Sequence, residues 1–201
     1  MLDKPSGWAV HPTGEGDAPD LMTWANDTLD SGQAGRFSPA HRLDKETSGI
    51  VICSPSGAAR ARVGAWFGAG EVKKVYLALV HGRTRKKGIV RKKLKDGRRG
   101  RALEAVTRYT TLGRWGALSL LRVRPETGRK HQIRRHLQGI GHAIVGDERY
   151  RPARFKSVPS FPGRLWLHAH QLELPEVGSF TSELPEGLSA HLEALKEREA
   201  Q

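Results

Sequence analysis

The sequence predicts an α+β fold with a central mixed, largely antiparallel sheet that helices and loops flank. Short β-branched segments and helical segments are both present, and they follow one another without a regular strand–helix–strand alternation. The chain has 201 residues, a length that suits one domain or two small lobes sharing a core. We therefore expect residues 1–201 to form a single domain.

The first half of the chain predicts two helices and two strands. A helix over 20–30 places Leu21, Trp24 and Leu29 on one face. The run GIVIC is short and β-branched, which favours a buried strand. The expected elements are an extended piece at 9–12, a helix at 20–30, a strand at 49–53, a serine-capped helix at 56–67 and a strand at 74–80.

The second half of the chain predicts a hairpin, two helices and one further strand. In the helix over 130–140, Ile133, Leu137 and Ile140 fall at i, i+4 and i+7, so they form a buried stripe. The expected elements are hairpin strands at 105–111 and 117–123, a helix at 130–140, a strand at 165–174 and a polar helix at 188–198.

The charge of the chain is strongly positive and concentrated in one segment. Thirty-four Lys and Arg residues against 21 acids give a net charge of +13, which indicates a polyanionic partner. Residues 83–101 hold 11 of the basic residues and one acid, which leaves +3 for the other 182 residues. We expect an exposed, partly mobile hairpin or loop that contacts phosphates; the alternative is a solvated loop without a partner.

The composition also excludes several classes of protein. Only 37% of the residues are hydrophobic, and no run approaches the roughly 20 apolar residues that a membrane span requires. No apolar signal segment is visible at the N-terminus, so we expect a cytoplasmic protein. Cys53 is the single cysteine, and His168 and His170 lack further ligands at metal-site spacing. We therefore expect neither a disulfide nor a metal site.

The segment HRLDKETSG places an aspartate, Asp44, on a polar loop that leads into a buried strand. Arg42 and Lys45 flank Asp44, and nearby positive charge favours the ionised carboxylate, which can then act as a nucleophile. Gly49 permits a tight entry into the strand. The alternative interpretation is a structural, salt-bridged loop aspartate.

The segment TGRKHQIRRH places several cations at the start of the predicted helix over 130–140. Arg134 shares a face with His131 and borders the buried stripe, so it is partly desolvated and requires a carboxylate, for which Asp44 is one candidate. Arg129 and Lys130 lie where free backbone N–H groups also bind phosphate. The alternative interpretation is a basic surface helix.

Tyr76 lies in the predicted strand over 74–80, on the face opposite Val75 and Leu77. A tyrosine in that position can stack on a nucleic-acid base while its hydroxyl group reaches a polar atom. The alternative interpretation is an ordinary core tyrosine.

The segment HRLDKETSG resembles the HRLDxxTSG signature of the RluA-type pseudouridine synthases. Four further blocks resemble that family in the same order: DKPSGW, KVYLALVHG, TGRKHQIRRHLQGIGHAIVGDERY and LWLHAHQLEL. The wording of KPSGW and GRKHQIRRHL is similar to the TruC-like branch, which modifies tRNA. The family usually has a strand before the KPSG turn, whereas this sequence begins at Met1-Leu2-Asp3. We therefore expect either that the start is placed too late or that an edge strand is missing.

The resemblance implies a catalytic domain with an active-site cleft across the sheet, which converts uridine in tRNA or rRNA to pseudouridine without a cofactor or a metal. Asp44 would attack either C1′ of the ribose or C6 of the base, and both remain open. Tyr76 would stack on the base near the C5 proton, and Arg134 would pair with Asp44. Arg42 would fill the space of the extruded base.

The substrate-binding residues predicted from these blocks are Arg42, Lys74, Arg129, Lys130 and His131. The expected partner is RNA, and we expect a monomer. The alternative function is a non-catalytic RNA-binding or ribosome-assembly factor on a degenerate synthase fold.

Overall fold

The computed structural model describes residues 1–12, 14, 19–30, 32, 35–95, 100–151 and 157–200. The chain divides into two compact units. The first unit contains residues 1–73 and 169–182, and the second contains residues 74–168 and 183–201. Within the described ranges, none of the helices combines the length and the apolar character needed to cross a membrane.

The first unit contains two helices and a set of short strands. Asp20 caps α1 and Ser56 caps α2, each by accepting hydrogen bonds from the first helical turn, and Gly70 ends α2 in the left-handed region at φ +78°. Its elements are β1 (Leu2–Lys4), α1 (Leu21–Thr28), β2 (Ser38–Pro39), β3 (Ser48–Val51), β4 (Cys53–Ser54), α2 (Gly57–Ala69), most of β11 (Leu167–Leu174), and β12 (Gly178–Thr181).

The strands of the first unit surround a small apolar core. Strand β1 pairs antiparallel with β3, β3 neighbours β11, and β12 pairs antiparallel with β11. Strands β2 and β4 form a separate pair. The core brings Ile50 of β3 together with Val63 of α2 and Leu172 of β11.

The second unit contains two helices and a larger antiparallel sheet with the order β5-β10-β9-β6. A separate hairpin joins β7 to β8. Its elements are β5 (Lys73–His81), β6 (Lys87–Arg91), β7 (Leu94–Lys95), β8 (Ala102–Leu103), β9 (Val106–Trp115), β10 (Leu118–Pro125), α3 (Gln132–Gly139), the first two residues of β11, and α4 (Glu186–Ala200).

The core cluster of the second unit includes residues from both faces of β5, such as the adjacent Leu77 and Ala78. Tyr109 of β9 and Val123 of β10 are directly opposite one another and belong to the same buried cluster as Ile133 of α3 and Leu188 of α4. Side chains alternate along a strand, so the next residues of β9 and β10 project from the other face. The two faces of the sheet therefore have different environments.

The predicted α+β class and largely antiparallel pairing are confirmed. Of the two alternatives for the N-terminus, the missing edge strand is wrong, because residues 2–4 form β1 and pair with residues 49–51. The predicted apolar face of α1 is buried only in part: Leu21 is buried together with Met22 and Ala25, whereas Trp24 is 40% and Leu29 36% exposed. Ile140 is 39% exposed because α3 ends at Gly139.

The basic segment 83–101 is more ordered than the charge density indicates. Strand β6 is hydrogen-bonded to β9 as the edge of the sheet, and β7 and β8 form their own hairpin. Val90 and Leu94 are buried, which anchors the segment, while the Lys and Arg side chains that the structure describes in it are exposed. The loop alternative is therefore wrong for β6, and the antiparallel pair of β7 and β8 agrees with the hairpin alternative. Residues 96–99 lie outside the described residues.

Candidate functional site

Asp44 lies half-buried in the loop that leads into β3, in the first unit. Its carbonyl accepts a hydrogen bond from the N–H of Thr47 at 3.1 Å, which closes a tight turn. At the entry to β3, Gly49 has φ +114°, and a Cβ built there would lie 2.3 Å from the carbonyl oxygen of Ala169. Only glycine fits this position, so the path of the chain after Asp44 is fixed.

A buried lysine, Lys4, holds the turn at residues 4–8 against the Asp44 loop. The side chain is 1% exposed. Its ammonium group donates to the carbonyls of Pro5 and Trp8, each at 2.8 Å, and of Lys45 at 2.9 Å. An ammonium group has three donors, and each has an acceptor here. Lys45 follows Asp44 directly, so this contact fixes the backbone beside the candidate nucleophile.

Two further hydrogen bonds join the same segments. The N–H of Gly7 donates to the carbonyl of Lys45 at 2.9 Å, and the hydroxyl of Ser6 donates to the carbonyl of Glu46 at 2.6 Å. Sequence reasoning treated KPSG as a turn and missed its role in holding the Asp44 loop. The available signal was a lysine directly before the turn residues Pro5, Ser6 and Gly7.

Arg42 is exposed on the other side of Asp44 in the chain. Its neighbour His41 is fixed, because its Nε2 accepts from the N–H of Ile52 at 2.9 Å and its ring stacks on Phe67 at 4.5 Å. Arg42 thus projects into solvent from an anchored backbone. Its predicted role in filling the space of an extruded base stays a prediction.

Tyr76 lies on β5 in the second unit, half-buried against the core cluster. Val75 and Leu77 are buried and lie on the opposite face, as predicted from strand alternation. Lys74, two residues before Tyr76 on the same face, is half-buried, and burial lowers the pKa of its ammonium group. Its proposed contact with substrate stays a prediction.

Arg134 is 2% exposed on α3 and forms a bidentate ion pair with Asp147. Nε donates to Oδ2 at 2.8 Å, and Nη2 donates to Oδ1 at 2.9 Å. The carboxylate of Asp147 also accepts from the backbone N–H groups of Arg149 and Tyr150. The predicted need for a carboxylate is confirmed with Asp147, a residue that sequence reasoning did not single out. The predicted pairing of Arg134 with Asp44 stays a prediction.

Arg129, Lys130 and His131 precede α3 rather than opening it. His131 has φ +53°, a left-handed conformation that is uncommon for a residue with a side chain, and the helix begins only at Gln132. The prediction that the helix starts at Lys130 is therefore wrong. The Nδ1 atom of His131 lies 3.1 Å from the hydroxyl of Tyr150, which fixes the ring.

The side chain of Gln132 anchors the loop that carries Arg129, Lys130 and His131. Its Oε1 accepts from the hydroxyl of Thr127 at 2.6 Å and from the N–H of Arg129 at 3.1 Å. Its Nε2 donates to the carbonyl of Val106 at 2.9 Å and to the hydroxyl of Thr107 at 3.0 Å. All four positions of the amide have partners, so the loop carrying the cations is fixed to β9.

The chemistry available in each unit is now clear. The first unit offers a carboxylate on a fixed loop, which is suited to nucleophilic attack. The second offers a phenol, which is suited to stacking, and cations on an anchored loop, which are suited to binding phosphate. It also holds a buried guanidinium group that is paired with Asp147. Among the described residues, no three His, Cys, Asp or Glu side chains form a group that could hold a metal ion.

Comparison with known proteins gives a consistent result. Residues 1–139 match the family model described as RNA pseudouridylate synthase. The chain is 35% identical to ribosomal large subunit pseudouridine synthase D of Nitrosomonas europaea, covering 98% of this chain and 62% of that protein. It is 34% identical to an uncharacterized RNA pseudouridine synthase of Zymomonas mobilis, covering 92% and 88%.

A solved structure is also similar. Human RNA pseudouridylate synthase domain containing 4 superposes with a TM-score of 0.80 at 27% identity, over 96% of this chain and 88% of that one. The chain spans a little under two thirds of the length of the Nitrosomonas relative and most of the length of the Zymomonas relative.

Proposed function

Since this chain belongs to the RNA pseudouridylate synthase family, we propose that it converts uridine to pseudouridine in large-subunit ribosomal RNA. The observation that carries the proposal is Asp44, in the segment HRLDKETSG, on a loop that Lys4 and Gly49 fix on both sides. A nucleophile that reacts with one carbon of a bound nucleotide needs such a fixed backbone.

The proposed reaction is an isomerisation, so its atoms balance without a co-reactant. The carboxylate of Asp44 attacks C1′ of the ribose or C6 of the base, and the bond between C1′ and N1 breaks. The uracil turns and C5 bonds to C1′, and the bond between Asp44 and C1′ or C6 breaks, which returns the free carboxylate. The C5 proton is lost, and N1 takes up a proton. Tyr76 is assigned to stack on the base beside the departing C5 proton.

The base must leave its stack before Asp44 can reach it, which costs a few kcal/mol. Arg42, exposed and carried by an anchored backbone, is suited to occupy the gap that the base leaves. Arg129 and Lys130 project from the loop that Gln132 fixes, and they are suited to bind the phosphates of the flipped nucleotide. Lys74 and His131 complete the proposed substrate contacts.

The choice of RNA rests on the relatives. Two proteins similar to this chain carry the names ribosomal large subunit pseudouridine synthase D, in Nitrosomonas europaea, and C, in Vibrio cholerae. We therefore propose ribosomal RNA as the substrate, although the motifs KPSGW and GRKHQIRRHL resemble the TruC-like branch, which modifies tRNA. Mapping pseudouridine in both RNAs with and without the gene separates the two substrates.

The central experiment replaces Asp44 with Asn, which removes the nucleophilic carboxylate and keeps the shape of the side chain. We expect pseudouridine formation to fall by about 10³-fold or more, because removal of a covalent nucleophile has effects of that size or larger. RNA affinity should stay within about twofold. The release of tritium from RNA containing [5-³H]uridine measures the reaction, and filter binding measures affinity.

The matched control is Asp27→Asn, which removes an exposed carboxylate from α1. It should retain the wild-type rate. A fully active Asp44→Asn variant would overturn the assignment of the nucleophile. Wild-type protein that binds ribosomal RNA but never forms pseudouridine would instead support the non-catalytic RNA-binding role.

A further inference from the structure

The sheet of the second unit has an exposed face that the proposed chemistry does not use. It is formed by β6, by residues 106–110 of β9 and by residues 122–125 of β10, on the side opposite Tyr109 and Val123. Five exposed cations project from it, and we call this set the basic sheet face: Lys87, Arg91, Arg108, Arg122 and Arg124.

The strand register places these cations together. Arg122 of β10 is directly opposite Thr110 of β9, which is opposite Lys87 of β6. Arg124 is directly opposite Arg108 in the same way. Neighbouring strands are about 4.8 Å apart, and alternate residues of one strand are about 6.8 Å apart, so the cations form a continuous patch.

The opposite orientation of the aromatic side chains confirms which face is which. Gly88 of β6 is paired with Tyr109, and a Cβ at Gly88 would lie 2.4 Å from the Tyr109 ring, so that ring covers β6 on the core side. Tyr76 is paired with Val123 and therefore lies on the same side as Tyr109, whereas Arg122 is paired with Leu77 and lies on the other side. The basic sheet face and Tyr76 are on opposite faces of one sheet.

This arrangement is unfavourable for the isolated protein. Like charges directly across a strand pair, as at Arg108 and Arg124, are destabilising. Glu126 forms an ion pair with Arg108. In the part of the chain that the structure describes, no carboxylate lies within ion-pair distance of Lys87, Arg122 or Arg124. The face therefore holds excess positive charge that folding does not require.

We propose that the basic sheet face binds phosphate groups of the substrate RNA at a segment separate from the target nucleotide. A guanidinium group donates two parallel hydrogen bonds to a phosphate, so several arginines on a rigid sheet suit a polyanion. The two binding positions are separate because a nucleotide stacked on Tyr76 lies on the face of the sheet opposite the basic sheet face. Identifying the polyanion as RNA rests on the proposed function.

The test is the double variant Arg122→Gln/Arg124→Gln, with Arg62→Gln/Lys196→Gln as a control that removes two exposed cations elsewhere. Binding to a transcript of bacterial large-subunit ribosomal RNA is measured between about 50 and 200 mM salt. Two lost phosphate contacts reduce the slope of log K against log salt by about 1.4 to 1.8. Over that range, wild-type affinity should therefore fall about tenfold further than that of the double variant.

A second measurement tests the separation. On the long transcript, KM should rise at constant kcat in the double variant. On a short stem-loop that contains only the modified uridine, both constants should match those of the wild type. An equal rise in KM on both RNAs would contradict binding to a segment separate from the target nucleotide. A salt slope of log K equal to that of the control variant would contradict RNA binding by the basic sheet face.

The outcomes also separate this inference from the proposed function. If the salt slope of log K is smaller in the double variant but the wild-type protein forms no pseudouridine, the catalytic proposal is wrong and RNA binding by the basic sheet face is supported. If pseudouridine forms normally and the slope is unchanged, only the present inference fails, and an acidic protein partner becomes the alternative occupant. Thermal unfolding of both variants should show the same midpoint temperature as the wild-type protein, which confirms that they fold.

Discussion

Two buried cations hold the two candidate regions of this protein, and they do so in different ways. In the first unit, the ammonium group of Lys4 donates to three backbone carbonyls beside the Asp44 loop. In the second unit, the guanidinium group of Arg134 forms two parallel bonds to the carboxylate of Asp147. Both side chains are almost completely buried.

The difference follows from the shape of the two cations. An ammonium group is a compact charge with three donors, so it can gather carbonyls from separate turns of the chain. A guanidinium group is a planar fork that matches a carboxylate. Lys4 therefore fixes the path of the backbone, whereas Arg134 fixes one side chain against another. Substitutions should separate these two roles.

The largest effect is expected where the buried ion pair is broken. Arg134→Met leaves Asp147 buried without the guanidinium group, which should lower the free energy of unfolding by about 3–5 kcal/mol. Urea denaturation measures this loss. The double variant Arg134→Met/Asp147→Leu should recover part of it, because apolar side chains can replace a buried pair. Recovery stays incomplete because Asp147 also accepts from two backbone N–H groups.

The double variant also tests the catalytic role predicted for Arg134. If Arg134 is needed for the reaction, the refolded double variant still forms no pseudouridine. Wild-type activity in a stable double variant would show that Arg134 has a structural role and is not needed for the reaction. Equal stability of Arg134→Met and wild-type protein would contradict the first part of the prediction.

A smaller effect is expected at Lys4. Lys4→Met removes three donors from buried carbonyls, which should lower the free energy of unfolding by about 1–3 kcal/mol. Because the Asp44 loop loses its anchor, kcat should fall more than KM changes. Steady-state kinetics and urea denaturation measure the two effects.

Lys4→Arg is the informative control for that prediction. It keeps the charge, but the planar fork cannot reach three converging carbonyls in the same way. We expect it to remain impaired. Wild-type kcat in Lys4→Arg would show that charge alone is sufficient and would contradict the role of the hydrogen-bond geometry.

Much of the fold could be predicted because local signals agree with tertiary packing. The run GIVIC gave β3, and Ser56 and Gly70 mark the ends of α2 where the structure has them. The start of α3 could not be predicted. The left-handed conformation of His131 depends on contacts with Tyr150 and on the Gln132 network, which lie outside the local sequence.

The candidate site was predictable to a similar extent. A buried Arg134 required a carboxylate, and Asp147 in GDERY was available a few residues after the helix. The acceptors of Lys4 could not be found in this way, because backbone carbonyls leave no trace in the residue types. The dense charge of segment 83–101 predicted an exposed loop. It drew attention away from the alternation of exposed and less exposed residues along 87–91, which is typical of a strand and agrees with the place of β6 in the sheet.

The smallest effect concerns a third buried basic side chain, which is neutral. His191 on α4 accepts from the indole N–H of Trp166 at 3.0 Å through Nδ1, and its Nε2 donates to the carbonyl of Pro159 at 2.9 Å. Burial lowers the pKa of His191, and it also lowers those of His81 and His136.

Acidification should therefore turn this neutral buried base into a buried cation whose new Nδ1–H group faces the indole N–H of Trp166, another donor. The unfolded chain binds a proton near pH 6.5, before the folded chain does. The free energy of unfolding should thus be constant above that pH and should fall as the pH drops toward the lowered pKa of the folded state. Denaturation at pH 7.5 and 5.5 measures the loss, and His191→Phe should reduce its size. A protein that gains stability on acidification would contradict the neutral state of these histidines.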